Sequence, residues 1–276
     1  MNRSPNKRTD DDRPAIWTGY GKLVKLFREE AGLTQQQLAD AVGYSYEQVA
    51  SIEQGRRPAK SAFTEAAERA LSARGTLRAL QEGVDLAKFP AFFQDFAMIE
   101  LEAVSRFAFE PQVIPGLLQT EAYARAMLTG HYPPPDNETI EQWVEARLER
   151  QKLLTRTPVV DLSFVLGEPA LHCPVGGPDV LRAQLLALLQ IRTLRNVEVQ
   201  IMPTSYGYHP GLNGPMVLLE TAEHRHVGYI ESQDVGVVIS DAEKVSAFGL
   251  RYGRLRSEAL NGEESARLIE RAAGEL

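Results

Sequence analysis

The feature that most restricts the fold is a doubled helix-start signal in LTQQQLADAVGYSYEQVASIEQGRRP, residues 33–58. Thr34 stands three residues before Gln37, and Ser45 three before Gln48. Each pair can form a capping box, in which hydroxyl and amide reciprocally take up N–H groups that a helix start leaves without partners. Leu33 with Leu38, and Tyr44 with Val49, have the spacing of hydrophobic staples. Gly43 falls between the two signals, where a left-handed residue ends a helix. The pattern predicts a helix from Gln35 to Gly43, about two turns long, then a tight turn and a second short helix. Leu38, Ala39, Val42, Val49 and Ile52 fall on the faces that pack together. Tyr46, Glu47, Ala50, Ser51 and Gln54 are left pointing largely outward, on a face with few long aliphatic side chains.

The flanks continue in the same manner. GYGKLVKLFREEAG places Leu23, Leu26 and Phe27 at helical spacing, and SAFTEAAERALSARGTLRAL repeats the amphipathic rhythm. Five helices then enclose one small core. The segments T-Q-x-x-L-A-x-x-x-G, x-V-x-x-I-E-x-G and R-x-P occur here in the order and spacing of the phage-repressor-like, xenobiotic-response-element class of helix-turn-helix domains, which residues 18–83 resemble. The resemblance implies that the second helix of the pair enters a DNA major groove, with Tyr46, Glu47, Ala50 and Ser51 facing the bases. Gln35 and Ser45, with the backbone at the helix start, would grip phosphate. A glutamate can accept from a cytosine amino group, and a tyrosine ring or alanine methyl can rest on a thymine methyl. Arg56, Arg57 and Lys60 lie just beyond that helix and read as phosphate contacts, which position without reading sequence. The resemblance further implies that Glu53 turns inward to pair with Arg28, a structural ion pair.

A DNA-reading head sits oddly in a chain of 276 residues with a formal net charge of −7. The charge is uneven, +2 over residues 1–83 and −9 over the rest. Screening is severe beyond about 10 Å, so charges near the phosphates matter more than the total. The length predicts two domains, and 43% hydrophobic with 24% charged residues is the balance of a globular protein. The absence of a hydrophobic signal segment or a long apolar run predicts a cytoplasmic protein without membrane contact. Cys173 is the single cysteine, which excludes an intrachain disulfide or a thiolate cluster. Residues 1–17 read as a flexible tail, because Asp10, Asp11 and Asp12 oppose docking of Arg3, Lys7, Arg8 and Arg13 in a minor groove.

Residues 84–276 read as a larger mixed domain, making the whole chain α+β. FPAFFQDFAMIELEAVSRFAFEP reads as an aromatic-rich helix, and TIEQWVEARLERQKLL as a long one that gathers Arg147, Arg150 and Gln151. VVDLSFVL, a helix over PDVLRAQLLALLQIRTL and the strand NVEVQIMP suggest a parallel unit in a mixed sheet. PMVLLE and HVGYIE read as an antiparallel pair, and the end as helix, with Ser265 or a neighbour as its last cap. In VIPGLLQTEAYARAML, the P-G-L-L-Q-T segment is either a partner groove or a helix entrance capped by Thr120. Together with RLERQ, LGEPAL, VGGPDVLRAQL, NVEVQIMP and EESARLIERA, that phrase resembles the C-terminal domain of actinobacterial regulators of the WhiJ type. The resemblance implies an antitoxin-like regulator paired with a small partner protein of the BldB-like group.

The enzyme candidates are sparse. His172 beside Cys173, His209, and His224 with His226 lack a convincing set of partners. His224 and His226 would share a strand face, but no third metal ligand stands at recognisable spacing. Gly176 and Gly177 before Pro178 could offer N–H groups to an anion, or simply start a helix. G-x-S-x-G, P-loop and H-E-x-x-H motifs are absent. The expectation is a sequence-specific DNA-binding transcription regulator, a homodimer on a pseudo-palindromic operator, with neither catalytic residues, metal nor cofactor. A repressor sensing a small molecule, and an enzyme carrying a DNA-targeting module, are the alternatives.

Overall fold

Both helix-start signals form as reciprocal capping boxes in the structure, a computed structural model that describes residues 14–276. The charged residues singled out in the tail, Arg3 to Arg13, lie outside the described residues. Thr34 opens α2 (Gln35–Val42), which ends on Gly43 in the left-handed region at φ 76°, and Ser45 opens α3 (Tyr46–Glu53). Around this pair lie α1 (Ala15–Glu30), α4 (Ser61–Leu71) and α5 (Thr76–Leu86). Their apolar faces meet in one core that includes Trp17, Tyr20, Val24, Leu38, Val49, Ile52, Phe63, Leu77 and Val84. α1 begins at Ala15, inside the stretch read as tail, because Trp17 is buried and donates its indole N–H to the Val84 carbonyl at 2.9 Å. α1 and α3 cross so closely that a Cβ on Gly21 would lie 2.2 Å from the Ile52 carbonyl oxygen, so that position requires glycine.

The chain divides into two compact units, the second being Phe92–Leu276. The division falls after Ala91, later than the boundary at residue 84 read from the sequence, because α5 runs on and Val84 belongs to the helical core. In the second unit α6 (Ala91–Leu101) leads into β1 (Ala103–Glu110). The aromatic stretch read as one helix is therefore half helix and half strand, with Ala103–Glu110 taken up in the sheet. After β1 come α7 (Glu121–Thr129), α8 (Asn137–Arg150), β2 (Asp161–Gly167), α9 (Pro178–Ile191) and β3 (Val197–Met202). β4 (Met216–Thr221), β5 (His226–Ser232), β6 (Val235–Ile239), α10 (Ala242–Glu258) and α11 (Gly262–Gly274) complete it.

The six strands form one mixed sheet in the order β3-β2-β1-β4-β5-β6. β1, β2 and β3 are parallel, while β4, β5 and β6 add as an antiparallel meander on the other side of β1. β2, α9 and β3 form the expected parallel unit, while β1 and β6 add to the strands that the sequence pattern discloses. β1 is thus the strand at which the chain reverses its direction of growth across the sheet. Each face of the sheet has its own core. Ala108, Phe164, Leu166, Val217 and Tyr229 lie on the side of α9 and α11, while Phe107, Phe109, Leu218, Phe248 and Tyr252 lie on the side of α10. Asn261, four residues before Ser265, caps α11, while Ser265 is buried and accepts from the Ile201 N–H at 2.9 Å. Among the described residues no helix is long and apolar enough to cross a membrane.

Candidate nucleic-acid interface

Elements of the first unit bring most of the sequence-predicted residues together at α3. Its inward face is fixed by a buried polar clamp. Arg28 donates from Nε to Glu53 Oε1 at 2.6 Å and from Nη2 to Glu53 Oε2 at 3.1 Å, and its Nη1 reaches the Leu33 carbonyl at 2.8 Å. Gln35 donates from Nε2 to Glu53 Oε2 at 2.7 Å. The clamp ties α1, the α1–α2 turn, the first residue of α2 and the last of α3, so the two short helices are held by charge-assisted bonds as well as apolar packing. The hydrogen bond to Glu53, opposed by burial, raises the Arg28 pKa further. Glu53 occupies one of the two Gln35 amide hydrogens, a tie that spacing did not disclose.

The outward face carries Tyr46, 46% exposed, with Glu47 exposed beside it and Ser51 half-buried one turn on. Glu47 lies below the usual carboxylate range, because its own backbone N–H and the Ser45 hydroxyl donate to it. Its carboxylate thus sits at the positive end of α3, where negative charge is favoured. Ala50 departs from the outward position expected of it: it is 7% exposed and counts among the buried residues of α3. Ser45 is exposed, and its hydroxyl accepts from the Gln48 N–H at 3.2 Å. Arg56, Arg57 and Lys60 are exposed on the turn after α3. The backbone folds that turn back, with the Arg56 N–H donating to the Ser51 carbonyl at 2.9 Å, which brings the two arginines beside the end of α3.

The histidines are scattered. His209 is buried edge-on to Phe109, and His172 is exposed beside the half-buried thiol of Cys173. His226 opens β5, whereas His224 lies in the preceding turn at φ 58°, so the two do not share a strand face. His224 Nδ1 lies 2.7 Å from Glu220 Oε1 and His226 Nε2 3.9 Å from Glu220 Oε2. Among the described residues no group of three or more histidine, cysteine or acidic side chains could hold a metal ion. Gly176 and Gly177 have positive φ and lead into α9 at Pro178.

The second unit holds a polar cluster that spacing discloses only in part. Glu100 accepts from Arg106 Nε at 2.9 Å and from Arg150 Nε and Nη2 at 2.8 and 2.9 Å. Those two guanidinium groups hold Glu100 below the usual carboxylate range, against the opposing effect of burial. The P-G-L-L-Q-T segment forms a short 3-10 turn, and Thr120 caps α7. It is pinned from below: Arg147 Nη1 donates to Gln119 Oε1 at 2.9 Å, and Gln184 bridges the Leu118 carbonyl and the Thr120 N–H. Spacing groups Arg147, Arg150 and Gln151, but their partners lie elsewhere in the chain: Arg150 pairs with Glu100, fifty residues away in sequence, while Arg147 and Gln151 both bind Gln119.

Comparison with known families gives two matches. A family profile described as a helix-turn-helix domain matches residues 20–81, and one described as a domain of unknown function, DUF5753, matches residues 93–271. Neither the curated proteins nor the solved structures include a match to the chain.

Proposed function

The chain belongs to the DUF5753 family, with a helix-turn-helix domain ahead of that region, and from that premise we propose that it is a sequence-specific DNA-binding transcription regulator. The observation that carries the reading is the presentation of α3: an exposed polar face held by the Arg28–Glu53–Gln35 clamp and flanked by Arg56, Arg57 and Lys60. A buried clamp behind a short helix fixes the direction of its outer side chains, which base recognition requires.

In this reading α3 lies in the major groove. Tyr46, Glu47 and Ser51 read base edges, with Ala50 permitting close approach. Ser45 and the second amide hydrogen of Gln35 meet phosphate, as do Arg56, Arg57 and Lys60. The protein acts as a homodimer on half-sites about 34 Å apart. Its second unit takes up a small partner protein of the BldB-like group in an antitoxin-like arrangement, a part of the reading supported by the resemblance of its motifs to WhiJ-type regulators. Such a partner switches DNA binding only by preferring one of two states.

The test is selection of bound duplexes from a random pool by the full-length protein, followed by the same selection with Tyr46→Ala. A palindromic consensus that weakens at particular positions in the variant supports the reading. A wild-type protein that enriches no sequence at low ionic strength overturns it.

A further inference from the structure

The polar cluster of the second unit contains more than a satisfied ion-pair triad. Glu100 absorbs the charges of Arg106 and Arg150, but Arg147 does not share in that neutralisation. Among the described residues its one side-chain hydrogen bond goes to the neutral Gln119, and no carboxylate lies within ion-pair distance of it. It is nevertheless half-buried. A second donor is also unspent. Arg106 is 5% exposed, and its Nη1 has no partner among the described residues. Buried cations normally find an anion, because desolvation without one is costly.

The surroundings have the residue types of a ligand site. Arg106, Ala108 and Glu110 alternate on one face of β1, the face of the α9 core. Ala108 pairs with Val217 and Val217 with Tyr229, which puts Glu231 on the same face of β5, with one strand between it and Glu110. This is the carboxyl end of the parallel strand β1, where the sheet switches from parallel to antiparallel growth. Crevices at such switch points are the usual ligand sites of open mixed sheets. The wall is aromatic: Tyr229 stacks on Phe96 at 4.0 Å, Phe93 meets both edge-on, and the Arg150 guanidinium covers Phe93 at 4.4 Å. The position after Pro115 is Gly116, whose missing side chain would have stood 3.6 Å from both Arg147 Nε and Arg150 Nη1. Solvent reaches the cluster through Glu231, which is exposed, and through the half-buried Glu110 and Arg147.

We propose that Arg147 anchors a small-molecule site at the β1–β4 switch, receiving the oxyanion of a ligand whose second polar group, a hydroxyl or ammonium, is met by Glu231 and Glu110. An aromatic wall with a few convergent polar groups is the usual composition of such sites, and a guanidinium fork suits carboxylate and phosphate equally. Titration fits the geometry. Burial and the neighbouring Arg150, opposed by Glu231, push Arg147 down to about 10, and burial, opposed by Arg106 and reinforced by Glu231, pushes Glu110 up to about 7. The two carboxyl groups disfavour a second negative charge on the ligand. The site lies wholly in the second unit, so it stands or falls independently of DNA recognition.

The test uses full-length protein and four probes: butyrate, γ-aminobutyrate, succinate and inorganic phosphate. Binding is read by the thermal midpoint and by fluorescence of Trp143, one turn before Arg147 on α8. Expected is saturable binding of γ-aminobutyrate, weaker binding of butyrate, and weakest of succinate. Phosphate binding more tightly than butyrate would identify a phosphate group as the natural anion. Arg147→Met should reduce affinity for the best probe by about tenfold or more while changing the unliganded midpoint little, since the lost bond to Gln119 is offset by removal of a half-buried charge. Arg147→Lys should retain part of the affinity. Silence from all four probes overturns the proposal. So does binding that survives Arg147→Met, or a variant whose unliganded midpoint falls while no probe acts on the wild type, which would make Arg147 structural.

Discussion

Replacing Glu53 by leucine should destabilise the helix-turn-helix unit rather than remove a contact with DNA. Arg28 and Glu53 are 8% and 6% exposed and joined by two hydrogen bonds, with Gln35 as a third member. Deleting one partner of a buried pair strands the other's charge, at a cost of roughly 3–5 kcal/mol. The lower figure applies here, since the guanidinium keeps its bond to the Leu33 carbonyl and the pair lies near the rim of a small unit. A unit of this size has a total stability of roughly 5–10 kcal/mol. A loss of about 3 kcal/mol is therefore a large fraction, lowering the midpoint by about 12–24 °C at 4–8 °C per kcal/mol. Circular dichroism of the full-length chain, followed at 222 nm, reports the helical transition. The double variant Arg28→Met with Glu53→Leu removes both charges and should recover most of the loss, because buried pairs replaced by apolar groups are often neutral. A single variant that melts within about 1 kcal/mol of wild type would refute the stranded-charge argument. A double variant as unstable as the single would assign the cost to lost packing instead.

Three further outcomes follow from the same geometry. Arg57→Gln should weaken binding to every duplex and reduce the slope of log affinity against log salt by about one unit, whereas Glu47→Ala should change sequence preference; equal losses on all sequences for both variants would contradict that division, as measured by fluorescence anisotropy. Gly21→Ala drives a methyl into the Ile52 and Glu53 carbonyl oxygens and should cost roughly 1–3 kcal/mol in urea unfolding, with an unchanged midpoint refuting the close crossing of α1 and α3. Glu110→Gln tests the raised carboxyl: its stabilising neutral form is fully present below the ordinary carboxylate pKa and is lost as pH climbs through about 7. The variant should therefore gain about 2 kcal/mol over wild type at pH 8, after allowance for partial exposure, and nothing at pH 4; a gain independent of pH would remove the titration from consideration.

The first unit was legible because its determinants are local. Thr34, Gln37, Gly43, Ser45 and Gln48 fix two helix starts and one stop within fifteen residues, and the periodicity on either side supplies the rest. In the second unit, local signals compete. β1 was hidden because Arg106 and Glu110 occupy inward positions where alternation leads one to expect apolar side chains, so the aromatics of Phe107 and Phe109 continued the helical rhythm of α6. β6 was missed because V-G-V-V-I is short and carries a glycine that lets the Phe92 carbonyl oxygen approach. Placing both histidines on a strand failed because the chain turns sharply between Thr221 and Arg225, where the backbone pairs with itself. The cluster around Arg147 could not be assembled from spacing at all, since α6, β1, α8 and β5 each contribute to it and only the sheet register brings them together.

The acidic excess of the chain bears on how the proposed head would meet DNA. Residues 1–83 carry +2 and the remainder −9, so the far field of the molecule repels a polyanion while the near field of Arg56, Arg57 and Lys60 attracts it. Near physiological salt the screening length is about 8 Å, shorter than a globular unit of this size, and the phosphates sense chiefly the cations around α3. At about 0.01 M the length grows to roughly 30 Å, and the acidic remainder enters the same field. Counterion release, by contrast, depends on the few phosphates neutralised in contact and persists at both ionic strengths. Affinity should therefore rise on dilution of salt less steeply at the low end than the contacts alone dictate, while association gains little from steering. In the proposed reading, discrimination then rests on the short-range fit of Tyr46, Glu47 and Ser51, a division that suits a regulator better than a protein meant to coat DNA without regard to sequence.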